Sequence, residues 1–261
     1  MYGNFVPGNN DKLMITYRRE PSHNYTMQRA CGVLFEGEIH FFGGTDYPES
    51  NLTRQHFVIE TQRSGQLVKM TKKEDLEIGF ESPSCSSFEM TDEYFLWFRT
   101  NVVILCLNIS YESMKSPWIF GKSCYSFDGK LTYIGYSNYE HIGGGLTKYN
   151  RNLLTVGGFW DNQNTEILRT NENKNFSWSV IEPDFKFAPG DYIYGHSLVT
   201  VEASDINEEF VLLIGGENGR RIRNKIFKFN GTWFSFGHLN KPRSYHNSIY
   251  WNGAVYVIGG E

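Results

Sequence analysis

The chain has 261 residues, a formal net charge of -4, 26 glycines, 8 prolines and 16% aromatic residues. Its 40% hydrophobic and 21% charged content excludes a disordered chain, and the mild acidity excludes a bulk nucleic-acid binder, which needs clustered Lys and Arg. The longest apolar run, Val102–Leu107, falls far short of the ~20 residues that span a bilayer, so no membrane span is expected.

In chain order, the first 25 residues lack a basic start followed by an apolar core, so no secretory signal is expected in the chain as it stands. Within residues 11–20, Lys12–Tyr17 reads as a strand. A first unit, about residues 28–70, reads as strands at Arg29–Phe35, Ile39–Phe42, His56–Glu60 and Gln66–Met70. A second, about 84–136, has Cys85 on its first strand, then Val102–Leu107, Cys124–Asp128 and Lys130–Tyr133. A third, about 141–181, runs through His141–Tyr149, Leu153–Val156, Thr165–Leu168 and Phe176–Val180. A fourth, about 195–238, has His196–Val201, Val211–Ile214, Ile226–Phe229 and Thr232–Ser235. A fifth, about 243–261, contains Tyr245–Trp251 and Val255–Ile258, joined by Asn252-Gly253, a strong hairpin dipeptide. No segment carries a sustained helical stripe with caps. An all-β fold is predicted.

Four second strands run into a glycine pair: Gly43-Gly44, Gly157-Gly158, Gly215-Gly216 and Gly259-Gly260. The second unit has the strand, ending at Cys106-Leu107, without the glycines. Counting from Gly43 through Cys106, Gly157, Gly215 and Gly259 gives intervals of about 63, 51, 58 and 44 residues, around the ~40–50-residue period of propeller blades. Residues without a Cβ reach positive φ and admit close backbone approach, so a strand can turn sharply there. Four short strands per unit, repeated, describe a blade. A Trp or large aliphatic on the outer strand is expected to fill the gap between neighbouring blades.

With these glycine pairs, the Phe229-Asn-Gly-Thr-Trp233 step and the Arg243-Ser-Tyr-His246 opening of the last unit, the chain resembles the kelch-repeat β-propellers over about residues 28–261. The resemblance implies one propeller domain of four-stranded blades, 1–261, with five recognisable blades, or six if the chain is incomplete. The last blade is expected to be closed by the N-terminal strand within 11–20.

Candidate sites follow from this frame. The loop Glu217–Asn224 carries Arg220, Arg221 and Arg223, whose guanidiniums suit a carboxylate, phosphate or acidic partner. Tyr47, Trp160 and Asp161 follow other glycine pairs and are expected on the same face; aromatics beside arginines are typical of interaction hot spots. His141, His196 and His246 open first strands and read either as structural hydrogen-bonding groups or as a ring of metal ligands. Cys106 and Cys124 lie on neighbouring strands and form a candidate disulfide, with Cys85 a competitor and Cys31 the fourth cysteine; sequence leaves three pairings open. Sequons begin at Asn24, Asn51, Asn108, Asn175 and Asn230, which are candidate glycosylation sites. They and the cysteines suit an extracellular protein whose signal lies upstream; without one, the cytoplasm is expected.

No C-x-x-C, G-x-S-x-G, H-E-x-x-H or phosphate loop occurs. The expectation is therefore a non-catalytic module that binds another protein, with no cofactor and no metal. The alternatives are an extracellular glycan- or peptide-binding domain, or a propeller enzyme. A copper oxidase would need a Cys–Tyr pair with axial histidines, and a glycosidase paired carboxylates in a central mouth.

Overall fold

A computed structural model describes residues 2–4, 27–28, 30–46, 51–52, 54–61, 67–80, 83–91, 99–106, 122–158, 164–170, 176–181, 193–202 and 209–261. All regular structure in them is β-strand. The chain forms two compact units, one of residues 25–142 and 168–179, the other of residues 1–24, 143–167 and 180–261.

The short strands β1 (Tyr2–Asn4) and β2 (Met27–Gln28) come first. The first blade is β3 (Cys31–Phe35), β4 (Glu38–Phe42), β7 (His56–Thr61) and β8 (Leu67–Lys72), paired in that order. Between β4 and β7, β5 (Thr45–Asp46) and β6 (Asn51–Leu52) pair with each other, and β5 also pairs with β2. The second blade is β9 (Ser84–Thr91), β10 (Arg99–Cys106), β11 (Ser123–Phe127) and β12 (Leu131–Tyr136). The third is β13 (Gly145–Tyr149), β14 (Asn152–Val156), β15 (Thr165–Thr170) and β16 (Phe176–Ile181), and the boundary between the units falls within β15 and β16. The fourth is β17 (Ser197–Val201), β18 (Phe210–Ile214), β19 (Lys225–Phe229) and β20 (Trp233–His238).

Among the described residues four blades, rather than the five expected, reach four strands. The fifth unit is a three-stranded sheet of β21 (His246–Trp251), β22 (Ala254–Gly259) and β1. An N-terminal strand does pair with β22, but this is Tyr2–Asn4, with Gly3 opposite Val257. The expected closing strand within 11–20 lies outside the described residues. Inside each unit the first strands of successive blades pack side by side: β3 against β9 in one, β13 against β17 and β17 against β21 in the other. That is the arrangement of propeller blades.

The glycine pairs make this stacking possible through backbone atoms alone. The first glycine donates back to the third-strand side: Gly43 to Gln55 O, Gly157 to Asn164 O and Gly215 to Lys225 O. The second donates forward to the segment entering the next blade: Gly44 to Phe80 O, Gly158 to Ile193 O and Gly216 to Arg243 O, each at 2.8 Å. A further chain runs through the residues that precede the first strands, from Gly195 N to Gly143 O and from Tyr245 N to Gly195 O, both at 2.6 Å. Buried donors and acceptors are thus paired from blade to blade.

Large side chains fill the remaining space. Trp233, on the outer strand of the fourth blade, is buried and donates its indole N–H to Thr165 Oγ1 of the third blade at 2.9 Å. It packs with Tyr149, Leu154, Ile167, Leu213 and Phe229 in one core cluster. A buried indole needs such a partner, and truncating a side chain of this size costs roughly 3–5 kcal/mol.

The four cysteines pair as Cys31–Cys85 and Cys106–Cys124, with Cα separations of 5.9 and 4.2 Å. Cys106 faces Cys124 across β10 and β11, as expected. Cys31–Cys85 joins the first strands of the first two blades. Both bridges lie in the unit of residues 25–142 and 168–179, which contains the blade lacking a glycine pair.

Candidate functional site

The described residues enclose a cleft of about 660 Å³ beside the first and second blades, inside a single unit. Three segments build it. The β3–β4 hairpin contributes Phe35, Glu36 and Glu38; the stretch after β8 contributes Lys73, Glu74, Asp75, Leu76 and Glu77; the β11–β12 hairpin contributes Phe127, Asp128, Lys130 and Leu131. Glu36 sits at φ 51 in its hairpin turn. In the second hairpin, Asp128 Oδ1 accepts from the backbone N–H of Lys130 at 3.3 Å, a local turn that short acidic side chains favour. The stretch after β8 is tied down by Lys73 N to His56 O at 2.8 Å and Leu76 N to Arg54 O at 2.7 Å.

The floor is aromatic. His40 on β4 and His56 on β7 are both more than nine-tenths buried and belong to one cluster with Phe35, Phe42 and Phe127. His40 Nδ1 and His56 Nε2 are 2.9 Å apart, while the ring centroids are 5.1 Å apart. The nitrogens therefore lie between the rings, and one N–H points at the other's lone pair. The Glu38 carboxylate, 4.0 Å from His40 Nε2, favours a proton on that nitrogen. Nδ1 of His40 is then assigned as the acceptor and His56 Nε2–H as the donor. Burial lowers the affinity of both rings for a second proton; that of His56 falls to about 4, with His40 and Lys73 adding to the effect. At neutral pH the floor is uncharged.

The same burial makes stability depend on pH. His246, interior to the other unit, is also held down to about 4, by burial first and by Arg243 second. Between about pH 4 and the ordinary histidine value of ~6.5, the unfolded chain binds more protons than the folded one. Stability is therefore full above 6.5 and falls as the pH drops toward 4. His56 and His246 each account for about 2 kcal/mol of that loss by pH 4.5. Urea midpoints at pH 7.5, 6.0 and 4.5 check this; a His56→Gln, His246→Gln variant should lose most of the slope, and an unchanged slope contradicts it.

The sequence-derived sites are placed as follows. Arg220 and Arg221 are exposed, and their backbone N–H groups donate to Asn218 Oδ1 at 3.3 and 3.2 Å. The loop is held by two backbone hydrogen bonds between Tyr194 and Glu217. Arg223, by contrast, is buried. Its backbone N–H donates to Gly216 O at 2.7 Å and its carbonyl accepts from Arg243 N at 3.0 Å, so it is part of the blade-to-blade bonding and only two arginines face solvent. Tyr47, Trp160 and Asp161 lie outside the described residues, as do Asn24, Asn108 and Asn175. Asn51 is on β6, and Asn230 is exposed in the β19–β20 turn.

The three histidines singled out are not equivalent, because the residues that precede the first strands align as Gly143, Gly195 and Tyr245. His196 and His246 each follow one of these; His141 lies earlier. His196 accepts the backbone N–H of Gly145 through Nε2 at 3.1 Å, a structural role. Among the described residues no group of three or more His, Cys, Asp or Glu is placed to hold a metal ion. His40 and His56 were missed by the sequence reading. Their signal was the parity of two histidines on adjacent strands, where Phe42 pairs with His56 and His40 with Val58.

No model of a protein family matches the chain, and no curated protein matches it. The chain is similar to the solved structure of YjhT, a propeller protein, at 17% identity and a TM-score of 0.62, over 97% of this chain and 82% of that one. Likeness at this identity shows the fold alone, an all-β propeller-like arrangement of four-stranded blades.

Proposed function

We propose that the chain is a non-catalytic binding module of kelch type, which recognises another protein through a recess in its propeller scaffold. The observation that supports this reading is the cleft floored by His40 and His56. It offers buried aromatic walls at Phe35 and Phe127 under a polar rim, the anatomy of a recognition pocket. Its carboxylates sit toward solvent; Glu36, Glu74, Asp75, Glu77 and Asp128 are all exposed. A general acid would stand in the dry interior, where burial favours its protonated form. The pair Arg220 and Arg221 provides a second recognition element on a loop of the other unit.

Two cysteine pairs at disulfide distance favour an oxidising compartment, which supports the extracellular form of this reading. A photo-reactive amino acid at Lys130, on the cleft rim, should yield a discrete protein adduct in extracts of the source cells and their medium. The same group at Asn252, in the exposed β21–β22 turn, should not. Equal labelling from both positions, or none from Lys130, would sink the proposal.

A further inference from the structure

The cleft also carries information about what enters it. Its lining holds six carboxylates, Glu36, Glu38, Glu74, Asp75, Glu77 and Asp128, against two ammonium groups, Lys73 and Lys130. One carboxylate is already engaged, because Lys72 Nζ lies 2.9 Å from Asp75 Oδ1. The acidic groups come from all three segments that build the cleft, so they surround its mouth. Beneath them the surface is apolar or uncharged: Phe35, Phe127, Leu76, Leu131 and the imidazole pair are all buried.

We infer that the cleft takes an arginine or lysine side chain of a basic partner segment, its alkyl stem against Phe127 and Leu76 and its charged head among the rim carboxylates. This rests on reading the cleft as a protein-binding recess. Basic side chains have this division, an apolar stem and a cationic tip. A guanidinium adds stacking on aromatic faces and a forked match to carboxylates, which an ammonium lacks. The floor suits such a guest. Its two imidazoles share one hydrogen bond and carry no charge at neutral pH, so they do not repel a cation. A bare metal ion is a poorer occupant, since no three of these groups converge on one point among the described residues.

Fluorescent octapeptides rich in Arg, Lys, Gln or Glu, titrated against the full chain at low and at physiological salt, test the inference. Binding should follow Arg, then Lys, with Gln and Glu at least tenfold weaker. The triple substitution Glu36→Gln, Glu74→Gln, Asp128→Asn, all at exposed positions, should weaken the Arg peptide at least tenfold and leave the thermal midpoint unchanged. Equal binding of the Arg and Gln peptides overturns the preference for a cation. Arg-peptide binding that survives the triple substitution overturns the site, since it would reflect general attraction to an acidic chain. If only the Gln or Glu peptide binds and Lys130 still crosslinks a protein, the recess stands as a binding site and the cationic guest falls. If Lys130 also yields no adduct, both fall.

Discussion

Replacing Gly215 by alanine is expected to cost about 4 kcal/mol of stability, much of the 5–15 kcal/mol that holds a typical domain. The residue sits at φ 62 at the end of β18, and a Cβ there would lie 2.5 Å from the carbonyl oxygen of Arg243 and 2.8 Å from Cε1 of His246. Neither neighbour can move freely. Arg243 O accepts from Gly216 N, and His246 begins β21 and is fully packed. The left-handed backbone adds about 1 kcal/mol for a residue with a Cβ, and the collision adds the rest. Gly253 is the internal comparison: it has φ 77 but nothing within 4 Å of an added Cβ, so Gly253→Ala should cost only about 1 kcal/mol. Urea unfolding of both variants decides the matter. Equal losses at the two positions would mean that the close approach between blades contributes nothing.

Removing the Cys31–Cys85 bridge should be as damaging, by a different route. The bridge closes a loop of 54 residues and the Cys106–Cys124 bridge one of 18. Loop-closure entropy then assigns about 4 kcal/mol to the first and about 3 kcal/mol to the second. The double variants Cys31→Ser, Cys85→Ser and Cys106→Ser, Cys124→Ser should lower the unfolding free energy in that order. Dithiothreitol should reproduce the combined loss in the unsubstituted chain and leave the doubly bridge-free variant unaffected. A loss below 1 kcal/mol for either pair contradicts the assignment. The unit of residues 1–24, 143–167 and 180–261 contains no cysteine and should keep its own transition under reductant. Only one of the two halves is held together covalently.

The blades were legible in the sequence because their punctuation is chemical. Glycine pairs, Asp128-Gly129, Asn230-Gly231 and Asn252-Gly253 specify turns that few other residues make, and the hairpins formed where these stand. The matched segments Ser126–Gly129 and Lys228–Gly231 occupy equivalent places, down to a register shift after the second pair of each ladder with the outer strand. The count of blades was not legible, because Tyr2–Asn4 has no turn signal or periodicity to mark it as a partner of β22. The cleft was hidden for a related reason. His40 lies within the run Ile39–Phe42 and His56 opens another strand 16 residues later; only the β4–β7 register puts them together. The rim residues 72–77, Lys-Lys-Glu-Asp-Leu-Glu, look like any solvated charge run. Arg223 misled in the opposite direction, since its main chain is tied to Gly216 and Arg243 and the residue is buried there, while Arg220 and Arg221 stay out.

The hydrogen bonds that pass from Gly143 to Gly195 to Tyr245, and from the glycine pairs at 43–44, 157–158 and 215–216 to the next blade, use main-chain atoms only. Such links do not record which side chain hangs from them; Gly195 and Tyr245 occupy the same place in the series. Descent with duplication can therefore copy a blade as a cassette and let its side chains drift while the joint persists. Exposed residues such as Glu74 on the cleft rim or Arg220 on its loop can then change with the guest, and the scaffold that presents them does not have to be reinvented.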